Sequence, residues 1–370
     1  MVSFYLFTYD NCVTGCYMDI ETKLDLIHSL PTEEVVTKED MRTLLETKSH
    51  PVHYIGLEIS GMPHIGHILV AGKKINDLDK AGIKTQVLLA DWHTVANNKL
   101  GGDWERIIKA SEFYRRLFNL VCPNTRVVLG SELYKNNDEY WKTLIKMSRK
   151  VTMARATRTM IIQGRSEKDV LHVSQYIYPI MQINDIRELG VDIPHSGIDQ
   201  RRVHMLAKEL FKEFDFNGIV PLHHHLLASL AEPPKVHESS DKEEIVAAMK
   251  MSKSKAGSAI SILASDSEVM HTLKNAWCPL GIVDENPVLE LCKYVIFPTL
   301  GHLTVERDAK YGGDEEFHSY AELQGAFSEK KLHPVDLKTS VGRSISSILE
   351  PIRKEFQKER EEIIKLLSLQ

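Results

Sequence analysis

No apolar run in these 370 residues approaches the roughly 20 needed to span a bilayer, although 43% of the chain is apolar. That excludes a helical membrane protein. Cysteine is scarce: Cys12, Cys16, Cys122, Cys278 and Cys292 are scattered, so neither a disulfide framework nor a cysteine-built zinc site is readable. A reducing, cytoplasmic setting is expected. Basic residues are missing ahead of the apolar start, where Tyr5, Phe7 and Tyr9 alternate, so residues 1–17 do not read as a secretory leader. Met18 heads a more ordinary helical stretch and is the expected natural start. His223-His224-His225 carries no metal signal, because adjacent residues cannot all face one ion from a strand or helix. A wall or surface role is expected for them, and no metal ligands are assigned. Acidic residues vanish between Lys146 and Arg165, where Lys146, Arg149, Lys150, Arg155, Arg158 and Arg165 form a local basic stretch within a chain of net charge −5. Such a stretch can meet phosphates despite an acidic total, or it can be a solvated helix face.

What is present alternates. Helices are expected from Asp19 to Leu30 and over 38–48, the second capped by Thr37 with Glu39 and Asp40 in its first turn. Val52 to Glu58 reads as a strand, Ser60, Gly61 and Pro63 as a break, and Ile68, Ala71, Ile75 and Leu78 as a helical stripe ending near Gly82. A strand at Thr85–Asp91, a helix at about 103–120, a strand at Arg126–Leu129 and a helical region over 138–163 continue the pattern. It predicts an α/β fold, a doubly wound parallel sheet whose ligands sit beyond the carboxyl ends of the strands. From about 266 the chain turns mostly helical, with Ser265 as a cap and Ile352, Phe356, Ile363 and Leu367 striping the last segment.

Two loops carry chemistry. His64-Ile65-Gly66-His67 opens a helix, where unpaired N–H groups and the helix dipole favour an anion, and Gly66 lets a ligand approach the backbone. Lys250-Met251-Ser252-Lys253-Ser254 packs two mobile charges and two hydroxyls into a short stretch suited to a polyphosphate. Tyr178, Gln182 and Asp185 project from one face of a helix as a polar pocket wall, and Gln200 begins a second polar cluster.

The two loops, in this order, resemble the paired signatures of class I aminoacyl-tRNA synthetases. Tyr54 to His67, Ala90 to His93, Tyr178 to Asp185, Gln200 to Met205 and Lys250 to Ser254 resemble a tyrosyl-tRNA synthetase of the archaeal and eukaryotic kind, over about 50–355. The resemblance implies that Tyr54 and Asp185 hold the substrate phenol, and that Tyr178, Gln182 and Gln200 hold its α-amino group. It implies that Gly56, His64, Gly66, His67, Met251, Ser252 and Ser254 bind ATP with its Mg2+, and that His64, His67, Lys250 and Lys253 act on the phosphates. It implies that Arg201 and Arg202 read the acceptor stem of tRNA(Tyr), and that Tyr311 and Asp336 read its anticodon. The same resemblance implies a homodimer and three parts: an N-terminal helical extension (1–51), a Rossmann-like catalytic domain (52–265) with connective helices inserted at about 103–175, and a helical anticodon-binding domain (266–370). Glu232-Pro233-Pro234 and the run Glu238 to Glu244 lengthen the approach to the lysine loop beyond the compact family pattern. The rival readings are a tryptophanyl enzyme, a small-molecule adenylyltransferase and a non-catalytic RNA-binding relative. An indole gives no reason for the Tyr54 and Asp185 pair, an adenylyltransferase needs no helical C-terminal domain, and a non-catalytic relative would be expected to lose a phosphate-binding group.

Overall fold

The computed structural model describes residues 18–159, 172–233, 249–251 and 257–368. Residues 1–17, Arg165 and most of the 230–249 insertion therefore lie outside the described residues. Local chemistry sets the first elements. Helix α1 (Ile20–His28) starts where the Asp19 carboxylate accepts from the Thr22 amide. Strand β1 (Thr32–Val35) follows, then α2 (Lys38–Thr47), where the Thr37 hydroxyl accepts from the Asp40 amide.

The centre is built from β2 (His53–Leu57), α3 (Ala71–Lys80), β3 (Gln86–Leu89), α4 (Asp91–Ala96), α5 (Trp104–Val121) and β4 (Arg126–Leu129). Short helices α6 (Gly130–Tyr134), α7 (Asp138–Ser148) and α8 (Met153–Arg158) lead toward α9 (Val173–Glu188). Strand β5 (Ile193–Gly197), α10 (Arg201–Glu213) and β6 (Leu222–His224) complete the sheet. Its order is β1-β6-β5-β2-β3-β4. Neighbouring pairs from β6 to β4 are parallel, while β1 runs antiparallel to β6. Because β3 and β4 grow to one side of β2 while β5 and β6 lie on the other, the strand order reverses between β2 and β5. That is the crevice where such sheets bind ligands.

One expectation changes. The N-terminal extension is not purely helical, since β1 adds an edge strand to the catalytic sheet. The C-terminal half carries a short antiparallel pair, Leu303–Val305 with Glu315–Phe317, among its helices. That half is also not packed as a separate body. Ile55, Val87 and Leu89 of the sheet share one buried cluster with Leu263, Val288, Leu349 and Phe356. At its edge the Arg116 guanidinium pairs with Glu355 and Glu359 and lies 4.9 Å over the Phe356 ring. Ser265 caps the helix Asp266–Asn275 in a reciprocal box with Glu268, as its sequence suggests. No helix among the described residues is long and apolar enough to cross a membrane.

Candidate active site

At the crevice between β2 and β5 lies a cavity of about 420 Å³. Its wall includes Tyr54, Gly56, His64, Gly66, His67, Tyr178, Gln182, Gln200, Lys250 and Met251, so residues far apart in sequence face one space. Ser252, Lys253 and Ser254 lie outside the described residues.

One end gathers hydroxyls around a buried carboxylate. Asp185, on the inner face of α9, is fully buried behind the cavity wall. The hydroxyls of Tyr134 and Tyr140 donate to the same oxygen, Oδ1, at 2.9 and 2.7 Å. Oδ2 makes no hydrogen bond and stands 3.6 Å from His93 Nε2. Burial pushes the Asp185 carboxyl up to about 7, against the pull of the two tyrosine hydroxyls, with Asp91 and Glu188 adding repulsion. His93 lies edge-on to Tyr178, ring centres 4.6 Å apart, and neither of its nitrogens makes a hydrogen bond. Burial drops its pKa to about 3, so the ring is neutral. Next to this group the Gln182 amide donates to Gln200 at 3.3 Å. Tyr54 folds along its own strand: a Cβ at Gly56 would stand 2.4 Å from the Tyr54 hydroxyl. Gly56 therefore makes room for the phenol of Tyr54.

The other end is built from the histidine loop. It enters its helix through a π-turn, Gly66–Val70, a distortion common at functional sites. The Gly66 amide donates to His64 Nδ1 at 3.2 Å, and a Cβ on Gly66 would come within 3.0 Å of that ring. The Gly66 amide and the space left by its missing Cβ are thus taken up by the His64 ring. With Nδ1 accepting, the His64 proton sits on Nε2. The His64 and His67 rings stack with centres 3.8 Å apart. Lys250 Nζ donates to the buried Asp199 carboxylate at 2.6 Å, which ties the start of the lysine loop to the end of β5.

The remaining expected residues lie elsewhere. Arg201 pairs with Glu34 through its Nε at 2.9 and 3.0 Å, and Arg202 donates to the Arg158 carbonyl at 3.4 Å. The basic stretch is partly balanced, Lys150 by Glu213 at 2.5 Å and Arg155 by Glu209. Tyr311 is 67% exposed with Lys310 Nζ 4.8 Å over its ring, and Asp336 lies in the first turn of the helix Pro334–Glu355. Sequence reasoning gives Tyr134, Tyr140 and Asp199 no role, and His93 enters it only as the last residue of the Ala90 to His93 stretch, just past the carboxyl end of a buried strand. Of the three adjacent histidines, none is a surface residue: His223 and His224 are buried, and His224 and His225 reach the cavity wall.

A doubly wound sheet whose switch-point cavity joins a histidine-glycine loop to a lysine loop defines a class I aminoacyl-tRNA synthetase. Residues 46–350 match the family model of class I tRNA synthetases for tryptophan and tyrosine. The tyrosine–tRNA ligase of Thermococcus sibiricus is 41% identical over 375 residues, covering 95% of this chain and 99% of that one. That of Pyrococcus horikoshii is 43% identical over 366 residues, with coverage of 93% and 97%. A crystal structure of the Pyrococcus horikoshii tyrosyl-tRNA synthetase complexed with L-tyrosine superimposes with a TM-score of 0.87 at 42% identity, covering 95% of this chain and 99% of that one. A Plasmodium falciparum tryptophanyl-tRNA synthetase, 13% identical with a TM-score of 0.66, shares the fold. The chain belongs to the tyrosine–tRNA ligase family.

Proposed function

We propose that this protein activates L-tyrosine with ATP and transfers it to the 3′ end of tRNA(Tyr). The observation that carries the amino-acid identity is Asp185. One of its oxygens is saturated by two tyrosine hydroxyls and the other is buried without a donor. A phenol supplies that donor, with Tyr54 beside it, whereas a phenylalanine ring leaves the oxygen unpaired. Tyr178, Gln182 and Gln200 then face the α-amino group.

In the first step the tyrosine carboxylate attacks the α-phosphorus of ATP in line, and pyrophosphate leaves. The carboxylate is already ionised, so the step needs positioning and charge stabilisation in place of a general base. His64 and His67 meet the phosphates as charge develops, with Met251 in the nucleotide wall. Lys250 and Lys253, flanked by Ser252 and Ser254, stabilise the leaving pyrophosphate. Magnesium enters with the triphosphate. In the second step the terminal adenosine hydroxyl of the tRNA attacks the carbonyl carbon of the adenylate, the mixed-anhydride bond breaks and AMP leaves, with Arg201 and Arg202 at the acceptor stem and Tyr311 stacking on an unpaired anticodon base that Asp336 reads.

A homodimer working in the cytoplasm completes the reading. Trp141 and Ile145, one turn apart on α7, are 47% and 63% exposed, which suits a face covered by a second copy. Charging of tRNA(Tyr) with radiolabelled tyrosine tests the whole scheme. His67→Ala is expected to lower the adenylation rate by orders of magnitude with tyrosine affinity retained. Unchanged adenylation would remove His67 from the mechanism. Sedimentation of a monomer at micromolar concentration would remove the dimer.

A further inference from the structure

Three imidazoles stand in a row across the catalytic sheet, unused by the scheme above. His53 on β2, His195 on β5 and His224 on β6 belong to adjacent strands and are all buried. His53 Nε2 lies 3.0 Å from His195 Nδ1, and His195 Nε2 lies 2.8 Å from His224 Nδ1. Two nitrogens remain at the ends. His53 Nδ1 is sealed in the core without a partner. His224 makes its one hydrogen bond through Nδ1, which leaves the Nε2 edge to the cavity wall.

Burial keeps all three rings neutral, with His53 pulled down to about 3, His224 to about 4 and His195 well below its usual value. A neutral imidazole carries one N–H and one lone pair. The chain therefore has two arrangements. In one, protons point toward the cavity: His53 donates to His195, His195 to His224, and His224 offers Nε2–H. The sealed His53 Nδ1 is then a bare lone pair. In the other, every bond reverses, and a buried N–H at His53 has no acceptor. An orphaned buried N–H is the rarer defect.

The opposite face of the sheet makes the same choice under a fixed direction. Glu34 Oε2 is 2.8 Å from His223 Nδ1, so that nitrogen must donate. His223 Nε2 is then bare and accepts from His204 Nδ1 at 3.1 Å. The chain ends on His204 Nε2, sealed and unpartnered, and therefore a bare lone pair.

We propose that the His53–His195–His224 chain fixes His224 as an Nε2–H donor in the cavity wall, where it hydrogen-bonds an acceptor atom of the bound nucleotide. The same wall holds Lys250 and Met251, which the scheme above assigns to ATP. The assignment to a nucleotide rests on the tyrosine-activation reading; the tautomer does not. His224 is the binding residue, and His53 and His195 position its proton.

Long-range 15N–1H correlation spectra of labelled protein report the tautomer of each ring without any assay. Nε2 protonated on His224 is expected, and Nδ1 protonated would overturn the proposal. His224→Leu is expected to raise the KM for ATP by about fivefold, the worth of one neutral hydrogen bond, with the KM for tyrosine unmoved. His224→Gln keeps an N–H and is expected to recover most of that loss. His53→Phe, remote from the cavity, is expected to raise the KM for ATP by about twofold, because His224 then divides between tautomers. An unmoved KM for ATP in His224→Leu, or a rise for tyrosine in its place, would overturn the assignment. If tyrosine-dependent activity itself fails, equilibrium binding of ATP to wild type and His224→Leu still decides the matter. Weaker binding by the variant is expected, and equal binding would overturn the assignment.

Discussion

The two oxygens of Asp185 live in different circumstances, and that difference sets how the site responds to pH. Oδ1 holds two tyrosine hydroxyls; Oδ2 lies 3.6 Å from His93 Nε2 and makes no hydrogen bond. Charge-assisted hydrogen bonds are about twice as strong as neutral ones. Because burial raises the Asp185 carboxyl to about 7, protonation below that pH weakens its grip on a phenol. The groups facing it are Tyr134, Tyr140 and the neutral His93, with Asp91 and Glu188 further off, so none masks the titration. The KM for tyrosine is therefore expected to climb as pH falls through about 7, with the KM for ATP little changed. Tyr140→Phe removes a donor that stabilises the carboxylate and is expected to move that climb to higher pH. A pH-independent KM for tyrosine would contradict the assignment. Gly56 gives a second case. Its absent Cβ is where the Tyr54 hydroxyl lies, so Gly56→Ala is expected to raise the KM for tyrosine more than the KM for ATP. Steady-state kinetics in both substrates checks it, and the reverse order would restore Gly56 to the nucleotide.

Elements were legible where local chemistry decides them. Asp19, Thr37 and Ser265 announce helices through side chains that accept from amides three residues on. Strands β3 and β4 announce themselves by short apolar runs, Val-Leu-Leu and Val-Val-Leu, and β2 by its Tyr-Ile pair ahead of the Gly/Pro break. Strand β5, Ile-Pro-His-Ser-Gly, has no such signal: its residues become a strand only because β2 and β6 flank it. Strand β1 is four residues long and owes its existence to β6. The same limit explains the site. Tyr178, Gln182 and Asp185 share a helix and could be grouped by spacing, whereas Tyr134 and Tyr140 reach Asp185 only through the packing of α6 and α7 against α9. Packing also fixes the helix behind the histidine loop. A Cβ at Gly72 on α3 would meet Val121 Cγ1 of α5 at 2.9 Å, and a branched methyl has little room to yield. Gly72→Val is expected to destabilise the protein by about 1–3 kcal/mol in urea unfolding. An unchanged midpoint would show that α3 and α5 separate freely.

Across the whole molecule, His225 joins three pieces. Its Nδ1 meets Glu33 of β1 at 2.5 Å, its Nε2 meets Glu290 of the helix Pro287–Leu291 at 3.2 Å, and its ring stacks on Tyr294 at 3.9 Å. Burial alone would lower its pKa; the two carboxylates outweigh that and hold the imidazolium up to about 9. A folded pKa above the unfolded value of 6.5 means the stabilisation is complete below 6.5 and is lost as pH rises through about 9. Stability against thermal unfolding is therefore expected to fall across that window, and His225→Gln is expected to flatten the dependence. Equal pH profiles for variant and wild type would deny His225 this role. The joined pieces serve one chemistry, amino-acid activation, and it is tested most directly by ATP–pyrophosphate exchange with tyrosine, tryptophan and phenylalanine in parallel. Exchange with tyrosine alone is the expected result. Exchange with tryptophan, or with none of the three from folded protein, would contradict the reading of the Tyr54 and Asp185 pocket.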